Sequence, residues 1–413
     1  MTLITSSHFS SASASGKDWR DTSKNVLDLL EDARGEDNPY NFGFLYISDN
    51  LVDDAVSILN LFKSVTNIEN WIGSIGMGLI GGNQNYIDQP AISVMLGSFP
   101  EDSFCVFPKT SDTGENIPQD EIKSWLDQYT PMLTFVHGDP LAHEDPVQTL
   151  KMLAHTSGGF LVGGLTSSRS EHFQIANTLC ENTITGAFFS ENIPVATAVS
   201  QGCKPISELH TITKCDGNII LEIDHEQPFS ILQKVLRTEI AQKLGKDPEQ
   251  FSTDLAPPDK DEFTISETYT GIAPGQVHVG LILSNSDSKD YLVRNIIGID
   301  SNEGTISISE DVSNGDLLLF TERDENTLSD DLRKTLTSLK ERITNERGSF
   351  NPKGAVYVSC IARAFQDDGA KPVAEIEILR DIIGPVPLCG FYAGGEINNA
   401  QLYGYTGLLT LFF

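Results

Sequence analysis

The sequence predicts an α/β protein of the α+β type, built as two tandem modules of largely antiparallel sheets with outer helices in a layered sandwich. Three observations indicate this architecture: a repeated strand–helix–glycine-strand unit, two short hairpin signals, and a length of 413 residues. A doubly wound parallel sheet is the alternative.

The repeated unit is clearest near the C-terminus, where the apolar stretch Leu388–Ile397 contains the pattern G-F-x-x-G-G. The same pattern occurs at Gly159–Leu165, and both copies follow an apolar strand, a loop and a helical segment. A weaker copy ends in the glycines of Trp71–Gly78. Because the spacing between the parts varies, the repetition indicates duplicated α/β layers and not a solenoid.

The hairpin signals are Asp216-Gly217 and Asn314-Gly315, which count against a purely parallel sheet because Asp, Asn and Gly tolerate positive φ. A chain of 413 residues is too long for one ordinary core, so two domains are expected. The Pro- and Asp-rich segment 246–260 is the predicted boundary. The modules would then span residues 1–245 and 246–413.

The elements follow in chain order from apolar periodicity. Helices are predicted where apolar residues recur every three or four positions, at Asp18–Leu30, Leu51–Val65, Pro118–Gln128, Val147–Ala154, Phe229–Leu244, Leu328–Ile343 and Val373–Ile382. Strands are predicted where short apolar runs lie between turn residues, at Phe42–Ile47, Ala91–Phe99, Met132–Val136, Ala187–Ser190, Val195–Ser200, Thr211–Lys214, Ile219–Ile223, Val277–Leu283, Tyr291–Asp300, Thr305–Ile308, Leu317–Thr321, Ala355–Ala362 and Leu402–Phe413. From its residues alone, Phe9–Ser15 reads as a serine-rich tail.

Composition excludes several classes of partner. A formal charge of -30 repels phosphates, so neither nucleic acid nor an anionic membrane surface is expected. No apolar run approaches the ~18 residues that membrane insertion needs. Six scattered cysteines without C-x-x-C, and no signal peptide, predict reduced thiols and a cytoplasmic location. The glycines of Gly73–Gly78 match neither a dinucleotide fingerprint nor a P-loop, so no cofactor is expected.

Taken together, these segments resemble the FIST sensory domain family, in which N-terminal and C-terminal modules occur in tandem. The N-terminal match is carried by Gln201–Ile206, the Asp216-Gly217-Asn218 hairpin and Leu221–Asp224. The C-terminal match is carried by Tyr291–Arg294, Ile297–Asp300, Ser359–Arg363, Gly390–Glu396 and Gly404–Thr406. The sequence departs from the family at Lys204, Ser207 and Ala364, where arginine, glycine and glycine are expected.

The resemblance implies residues 1–245 as a FIST N-like module and residues 246–413 as a FIST C-like module, with Phe9–Ser15 as the first strand. It also implies an intracellular sensor that binds a small metabolite, with amino acids as suggested ligands, between or within the modules. No output segment is recognised, so a separate signalling protein is the expected partner.

The strongest candidate site joins Arg363 and Glu396. A carboxylate at the end of a buried apolar strand needs a partner, and Arg363 is the predicted one. The pair is interpreted either as a structural ion pair or as a zwitterion clamp, with Arg363 for a ligand carboxylate and Glu396 for its ammonium group. The neighbouring Gly394 and Gly395, like Gly163 and Gly164, could admit a ligand or only allow close packing.

Other candidates are weighed in the same way. Cys360 and Cys389 could lie side by side on neighbouring strands, as buried residues or as a reactive thiol. Gln201 and Lys204 lie in a distinctive loop, where Lys204 is either an anion contact or a solvated lysine. The loop cluster of His137, Asp139, His143, Glu144 and Asp145 resembles a metal site, but solvated loops usually look the same, so no metal is predicted.

Three functions remain open at this point. The favoured one is a cytoplasmic, acidic signal-transduction protein that binds a small molecule and performs no catalysis. The second is a protein-binding adaptor without a small ligand. The third is a thiol-dependent enzyme, which the absence of histidine after His278 disfavours.

Overall fold

The computed structural model describes residues 2–5, 8–31, 39–108, 120–245, 247, 276–282, 291–323, 325–364 and 375–413. The chain forms two compact units: unit 1 comprises Met1–Gln201 and Ser329–Phe413, and unit 2 comprises Gly202–Leu328. The predicted boundary segment 246–260 lies, except for Asp247, outside the described residues. The division at residues 245 and 246 therefore stays a prediction.

Unit 1 is built from three repeats with one order of elements, namely strand, helix, strand, helix, strand, hairpin and closing strand. The first repeat comprises β2 (Phe9–Ser15), α1 (Trp19–Leu29), β3 (Phe42–Ser48), α2 (Ala55–Thr66), β4 (Asn70–Gly76), β5 (Gly78–Gly81), β6 (Gln84–Ile87) and β7 (Ala91–Gly97), preceded by β1 (Thr2–Thr5). The second comprises β8 (Phe104–Phe107), α3 (Asp120–Gln128), β9 (Pro131–Gly138), α4 (Pro146–Ser157), β10 (Phe160–Leu165), β11 (Gln174–Ala176), β12 (Thr178–Cys180) and β13 (Ile184–Ser190).

The third repeat is interrupted by unit 2. It begins with β14 (Val195–Ser200) and continues, after the whole of unit 2, with α6 (Glu325–Arg347), β22 (Gly354–Cys360), the short helix α7 (Ile361–Ala364), α8 (Glu375–Ile383), β23 (Leu388–Ala393), β24 (Gly395–Asn398), β25 (Gln401–Tyr403) and β26 (Gly407–Phe412). The predicted repetition is confirmed, and the weaker copy that ends in Trp71–Gly78 belongs to the complete first repeat.

The three repeats exchange hairpins in a cycle. Their sheets run β1-β2-β7-β3-β4-β11-β12, β8-β13-β9-β10-β24-β25 and β14-β26-β22-β23-β5-β6. In each sheet the second and third strands of a repeat are parallel, and the described pairs beside them are antiparallel. Each repeat places its hairpin on the sheet of another repeat, so that β24–β25 extends the second sheet.

A shared core lies between one face of each sheet. Phe44 of the first sheet, Phe135 of the second and Phe391 of the third belong to it and are fully buried. Complete burial of a phenylalanine contributes about 1.5–3 kcal/mol. The opposite face of each sheet is covered by the two main helices of its own repeat, as the apolar clusters around Phe62, Leu150 and Leu336 show. The prediction of outer helices on layered sheets is thus confirmed.

Glycines set the register of the repeats. Gly73, Gly163 and Gly390 lie opposite Leu45, Val136 and Tyr357 on the neighbouring parallel strand, in that order. A Cβ at these glycines would lie 1.7, 1.8 and 1.8 Å from the carbonyl oxygen of the opposing residue. The structural equivalent of Gly163 is therefore Gly390, whereas the G-F-x-x-G-G pattern pairs Gly163 with Gly394.

Some predicted bounds need correction. The predicted strand Leu402–Phe413 is two strands, because the chain turns at Gly404–Thr406 and β25 and β26 enter different sheets. Phe9–Ser15 is the strand that the resemblance implied, and the tail interpretation was wrong. Among the described residues, no helix has the length and apolar character needed to cross a membrane.

Unit 2 is an antiparallel sheet with one described helix. Its elements are β15 (Lys204–Pro205), β16 (His210–Asp216), β17 (Ile219–Ile223), α5 (Pro228–Lys243), β18 (Val277–Ile282), β19 (Tyr291–Asp300), β20 (Thr305–Ile308) and β21 (Leu317–Glu322). The order is β15-β21-β16-β17-β20-β19-β18, and β18 also pairs with β21, so the sheet closes on itself. The predicted hairpin at Asp216-Gly217 joins β16 to β17, with Gly217 at a φ of 57°.

Candidate functional site

The most polar buried cluster of the third repeat surrounds Arg363. This residue follows β22 on the short helix α7 and is 1% exposed. Its Nη2 forms an ion pair with Glu375, the first residue of α8. Its Nη1 donates hydrogen bonds to the carbonyl oxygens of Ser200 at 3.1 Å and Tyr405 at 3.4 Å. Burial alone would lower the pKa of Arg363, but Glu375, together with Tyr357 and Glu396, outweighs burial and the pKa is raised.

Glu375 is the centre of this network. Besides the guanidinium of Arg363, its carboxylate accepts hydrogen bonds from the Tyr357 hydroxyl at 3.2 Å and the Ser359 hydroxyl at 2.9 Å. Burial, with the nearby Glu375 charge second, holds the pKa of Tyr357 well above its usual value. Tyr357 therefore acts as a hydrogen-bond donor at any physiological pH.

Glu396 lies on β24 and is 1% exposed. Its Oε2 accepts hydrogen bonds from the backbone N–H of Thr406 at 3.0 Å and from the Thr406 hydroxyl at 2.8 Å. Its Oε1 has no hydrogen-bond partner within the described part of the chain. Burial raises the pKa of Glu396 to about 8, against the opposing effects of the Thr406 hydrogen bonds and the Arg363 charge. The carboxyl is therefore largely protonated at neutral pH.

The predicted pairing of Arg363 with Glu396 was wrong in its partner. Arg363 forms its ion pair with Glu375 and acts on Glu396 only through a weaker attraction between charges. Glu375 takes this position because α8 begins beside the carboxyl end of β22, where Ser359 and Tyr357 also face it. Glu375 was not among the predicted site residues. The alternation of Tyr357 and Ser359 on one strand face is the sequence signal that could have indicated a polar partner there.

Two further predicted residues lie beside Glu396. The thiol of Cys360 is close enough to the carboxyl to favour its charged form, and the backbone N–H of Cys360 donates to the Thr406 carbonyl at 2.9 Å. Gly394 connects β23 to β24, and its N–H donates to the carbonyl of Leu165 at 2.9 Å. Gly395 would place a Cβ 2.8 Å from the Leu402 side chain.

Gly163 and Gly164 lie on β10, the strand beside β24. Gly164 is opposite Glu396 in the ladder, and its Cβ would lie 2.8 Å from the side chains of Ala393 and Val358. Close packing of side chains explains why residue 164 is a glycine, and the carbonyl oxygen of Val136 explains why residue 163 is one.

Cys389 does not lie beside Cys360. Their strands are neighbours, but Cys389 is opposite Val356 whereas Cys360 is opposite Ala393, an offset of four residues. Four residues of strand separate positions by about 13 Å. Burial raises the pKa of Cys360 to about 12 and that of Cys389 well above its usual value.

Gln201 and Lys204 belong to different units. Gln201 is the last residue of the first segment of unit 1. Lys204 lies in unit 2, where its Nζ is 3.0 Å from a carboxylate oxygen of Glu239 and 3.3 Å from one of Glu322. Burial lowers the pKa of Lys204, but the two carboxylates outweigh this and the net shift is upward.

The residues of the metal-like loop have structural contacts. The imidazole Nε2 of His137 is 3.2 Å from the Tyr46 hydroxyl, and burial lowers the pKa of His137 to about 3. The Asp139 carboxylate accepts from the backbone N–H of Leu141 at 2.8 Å and of Asn182 at 2.9 Å. Asp145 caps the N-terminus of α4.

Comparison with known proteins places these modules in a wider group. The FIST N domain model matches residues 41–226 and the FIST C domain model matches residues 253–399. An uncharacterized protein of Mycobacterium tuberculosis (strain ATCC 25618 / H37Rv) is 25% identical over 368 residues, which cover 87% of this chain and 88% of that protein. An uncharacterized protein of Mycobacterium bovis is 22% identical over 372 residues, or 87% of each chain.

Proposed function

Since this chain belongs to the FIST family, whose domains are sensory domains of signal transduction, we propose that it is a cytoplasmic sensor that binds an amino acid and catalyses no reaction. The ligand stabilises one conformation of the chain over another. A separate signalling protein then recognises that conformation.

The proposal is carried by two buried polar atoms that lack partners in the described part of the chain. One is the donor Nε of Arg363 and the other is Oε1 of Glu396, which is an acceptor once the carboxyl has lost its proton. Leaving such an atom unsatisfied costs about 1–3 kcal/mol. A ligand with one acceptor group and one donor group removes both costs, and the carboxylate and ammonium groups of an amino acid supply them.

Glu375 changes how this clamp works. Because its carboxylate already neutralises Arg363, the ligand carboxylate gains a directed hydrogen bond from Nε and little net attraction. The ligand ammonium must then find a charged Glu396, which is mostly protonated at neutral pH because its pKa is about 8. Binding is thus coupled to the release of a proton, and affinity rises as the pH approaches 8.

The proposed site comprises Arg363, Glu396, Cys360, Gly394 and Gly395. Gly163 and Gly164 lie behind it on the neighbouring strand β10, where close packing explains them. Cys389 and Lys204 are left out, because the first is buried in the shared core and the second is paired with carboxylates of unit 2. Gln201 is adjacent to the proposed site, because it follows Ser200, whose carbonyl oxygen accepts a hydrogen bond from Arg363.

Thermal denaturation with a panel of amino acids tests the proposal. Each amino acid is compared with the amine and the carboxylic acid that lack one of its two charged groups. An amino acid at about 100 times its dissociation constant adds about 2.7 kcal/mol of stability. Analogues lacking either group give a smaller shift. The absence of any shift across the panel would overturn the proposal.

Glu396→Gln and Glu377→Gln form a matched pair for the binding measurement. Glu396→Gln keeps the shape of the site and weakens binding by roughly 1–3 kcal/mol, the range for a hydrogen bond to a charged group. Glu377 lies on α8 but is exposed, so its substitution leaves binding unchanged. A folded Glu396→Gln that binds like the wild type removes Glu396 from the site.

A further inference from the structure

A concave groove lies on unit 1, lined by residues other than Arg363 and Glu396. It is a groove of about 380 Å³ between the edge strand β14 and helix α6. Its lining residues lie on β14 and on about three turns of α6, and are Thr197, Ala198, Asp331, Lys334, Thr335, Ser338, Leu339 and Arg342. The volume is within the range of about 300–1,000 Å³ found for small-molecule sites.

The cations of α6 divide into two groups. Arg333 pairs with Asp381, Lys340 donates to the Ile382 carbonyl, and Arg347 lies over the Phe413 ring. The remaining two, Lys334 and Arg342, have no ion-pair or hydrogen-bond partner among the described residues. These two are the cations that line the groove.

The spacing of the groove residues suggests the shape of a ligand. Lys334, Ser338 and Arg342 recur every four residues and so lie in one line along the helix. The backbones at Lys334 and Arg342 are about 12 Å apart along the axis, so a ligand with two separated anionic groups can reach one cation with each group. The hydroxyl of Ser338 lies between them, and those of Thr335 and Thr197 lie alongside.

The acidic groove residue does not cancel this charge. Asp331 accepts a hydrogen bond from the Ser200 hydroxyl at 2.8 Å, which holds its carboxylate at the β14 end of the groove. Asp330 and Glu346 lie one helical turn from Lys334 and Arg342, but such exposed pairs contribute only about 0.2–0.5 kcal/mol. Neither carboxylate forms an ion pair with Lys334 or Arg342 among the described residues, so both cations are available to a ligand with two anionic groups.

We infer that the groove between β14 and α6 binds an elongated small molecule that carries an anionic group at each end and a polar middle. Lys334 binds one anionic group and Arg342 binds the other, while Ser338 contacts the middle of the ligand. The ligand-binding residues of the groove differ from Arg363 and Glu396, although Ser200 contacts both Arg363 and Asp331. The groove can therefore bind its ligand whether or not an amino acid binds at Arg363 and Glu396.

Calorimetric titration with alkane-α,ω-bisphosphonates of three to eight carbons tests the inference. The wild type binds one intermediate length best and binds inorganic phosphate more weakly. Lys334→Ala and Arg342→Ala each weaken the best probe by about tenfold or more, as loss of a charge-assisted hydrogen bond requires. Arg333→Ala is the matched control on the same helix, and it binds within about twofold of the wild type.

Several results would overturn the inference. They are no binding of any bisphosphonate, binding of inorganic phosphate as tight as that of the best bisphosphonate, and equal losses in Arg333→Ala and Lys334→Ala. Tighter binding of an acidic peptide than of every bisphosphonate would also overturn it and would assign the groove to a protein partner. Circular dichroism of each variant separates lost binding from lost folding.

Discussion

Arg363 forms its buried ion pair with Glu375, the first residue of α8, and not with Glu396 on β24. Both partners are almost completely removed from solvent, with side-chain exposures of 0% and 2%. Removing one member of such a pair leaves an uncompensated buried charge. Glu375→Gln is therefore expected to lower the free energy of unfolding by about 3–5 kcal/mol.

The free energy of unfolding is measured by urea denaturation, with two control proteins. The exposed Glu377→Gln stays within about 0.5 kcal/mol of the wild type. The double variant Arg363→Met with Glu375→Leu loses less than Glu375→Gln alone, because no charge stays buried. A Glu375→Gln protein as stable as Glu377→Gln would contradict the structural importance of the pair.

Glu396 makes the stability depend on pH. Its pKa rises from the ordinary 4.5 to about 8 on folding, so between these values the folded state keeps a proton that the unfolded state has lost. This contribution is complete below pH 4.5 and is lost as the pH rises through 8. The unfolding free energy consequently falls with increasing pH, by up to about 1.4 kcal/mol per pH unit from this group.

The difference between Glu396→Gln and the wild type isolates that contribution. We expect the stability of Glu396→Gln relative to the wild type to increase from pH 5 to pH 8 and then to level off. The same difference for Glu377→Gln is expected to be flat. A flat difference for Glu396→Gln as well would show that Glu396 titrates alike in the folded and unfolded states.

Gly390 tests the register of the three repeats. Gly390→Ala places a Cβ 1.8 Å from the Tyr357 carbonyl oxygen, so the parallel strands must separate. The loss of stability should be at the upper end for a single substitution, about 4–5 kcal/mol. Gly73→Ala, at the equivalent position, should behave in the same way. Gly298→Ala meets only Ser307, at 3.5 Å, and serves as the mild control.

The repeats could be predicted from the sequence, but their register could not. Strand and helix periodicity is local, so it identified the elements of the weak first copy as well as those of the third. Alignment of the two G-F-x-x-G-G patterns makes Gly163 equivalent to Gly394. The structure places it level with Gly390, because both glycines face the carbonyl of a strand that is distant in sequence.

Only part of the candidate site could be predicted from the sequence, for a similar reason. The sequence indicates that Arg363 and Glu396 are buried polar residues, since each follows or ends an apolar strand. The choice of ion-pair partner depends on how α8 docks beside β22, which no local pattern reports. The exchange of hairpins between repeats, which brings β24 beside β10, also lies beyond sequence periodicity.

The thiols provide the last test, which separates a sensor from a thiol enzyme. Burial raises the pKa of Cys360 to about 12 and that of Cys389 well above 9.0, so neither thiol is ionised to a useful extent at pH 8. The thiolate is the form of cysteine that iodoacetamide alkylates. Both cysteines should therefore resist iodoacetamide in the native protein and react only after unfolding, as measured by peptide mass spectrometry. The half-buried Cys105 serves as an internal reference for access. Labelling of Cys360 faster than Cys105 would require a base that activates it and would restore the enzyme hypothesis.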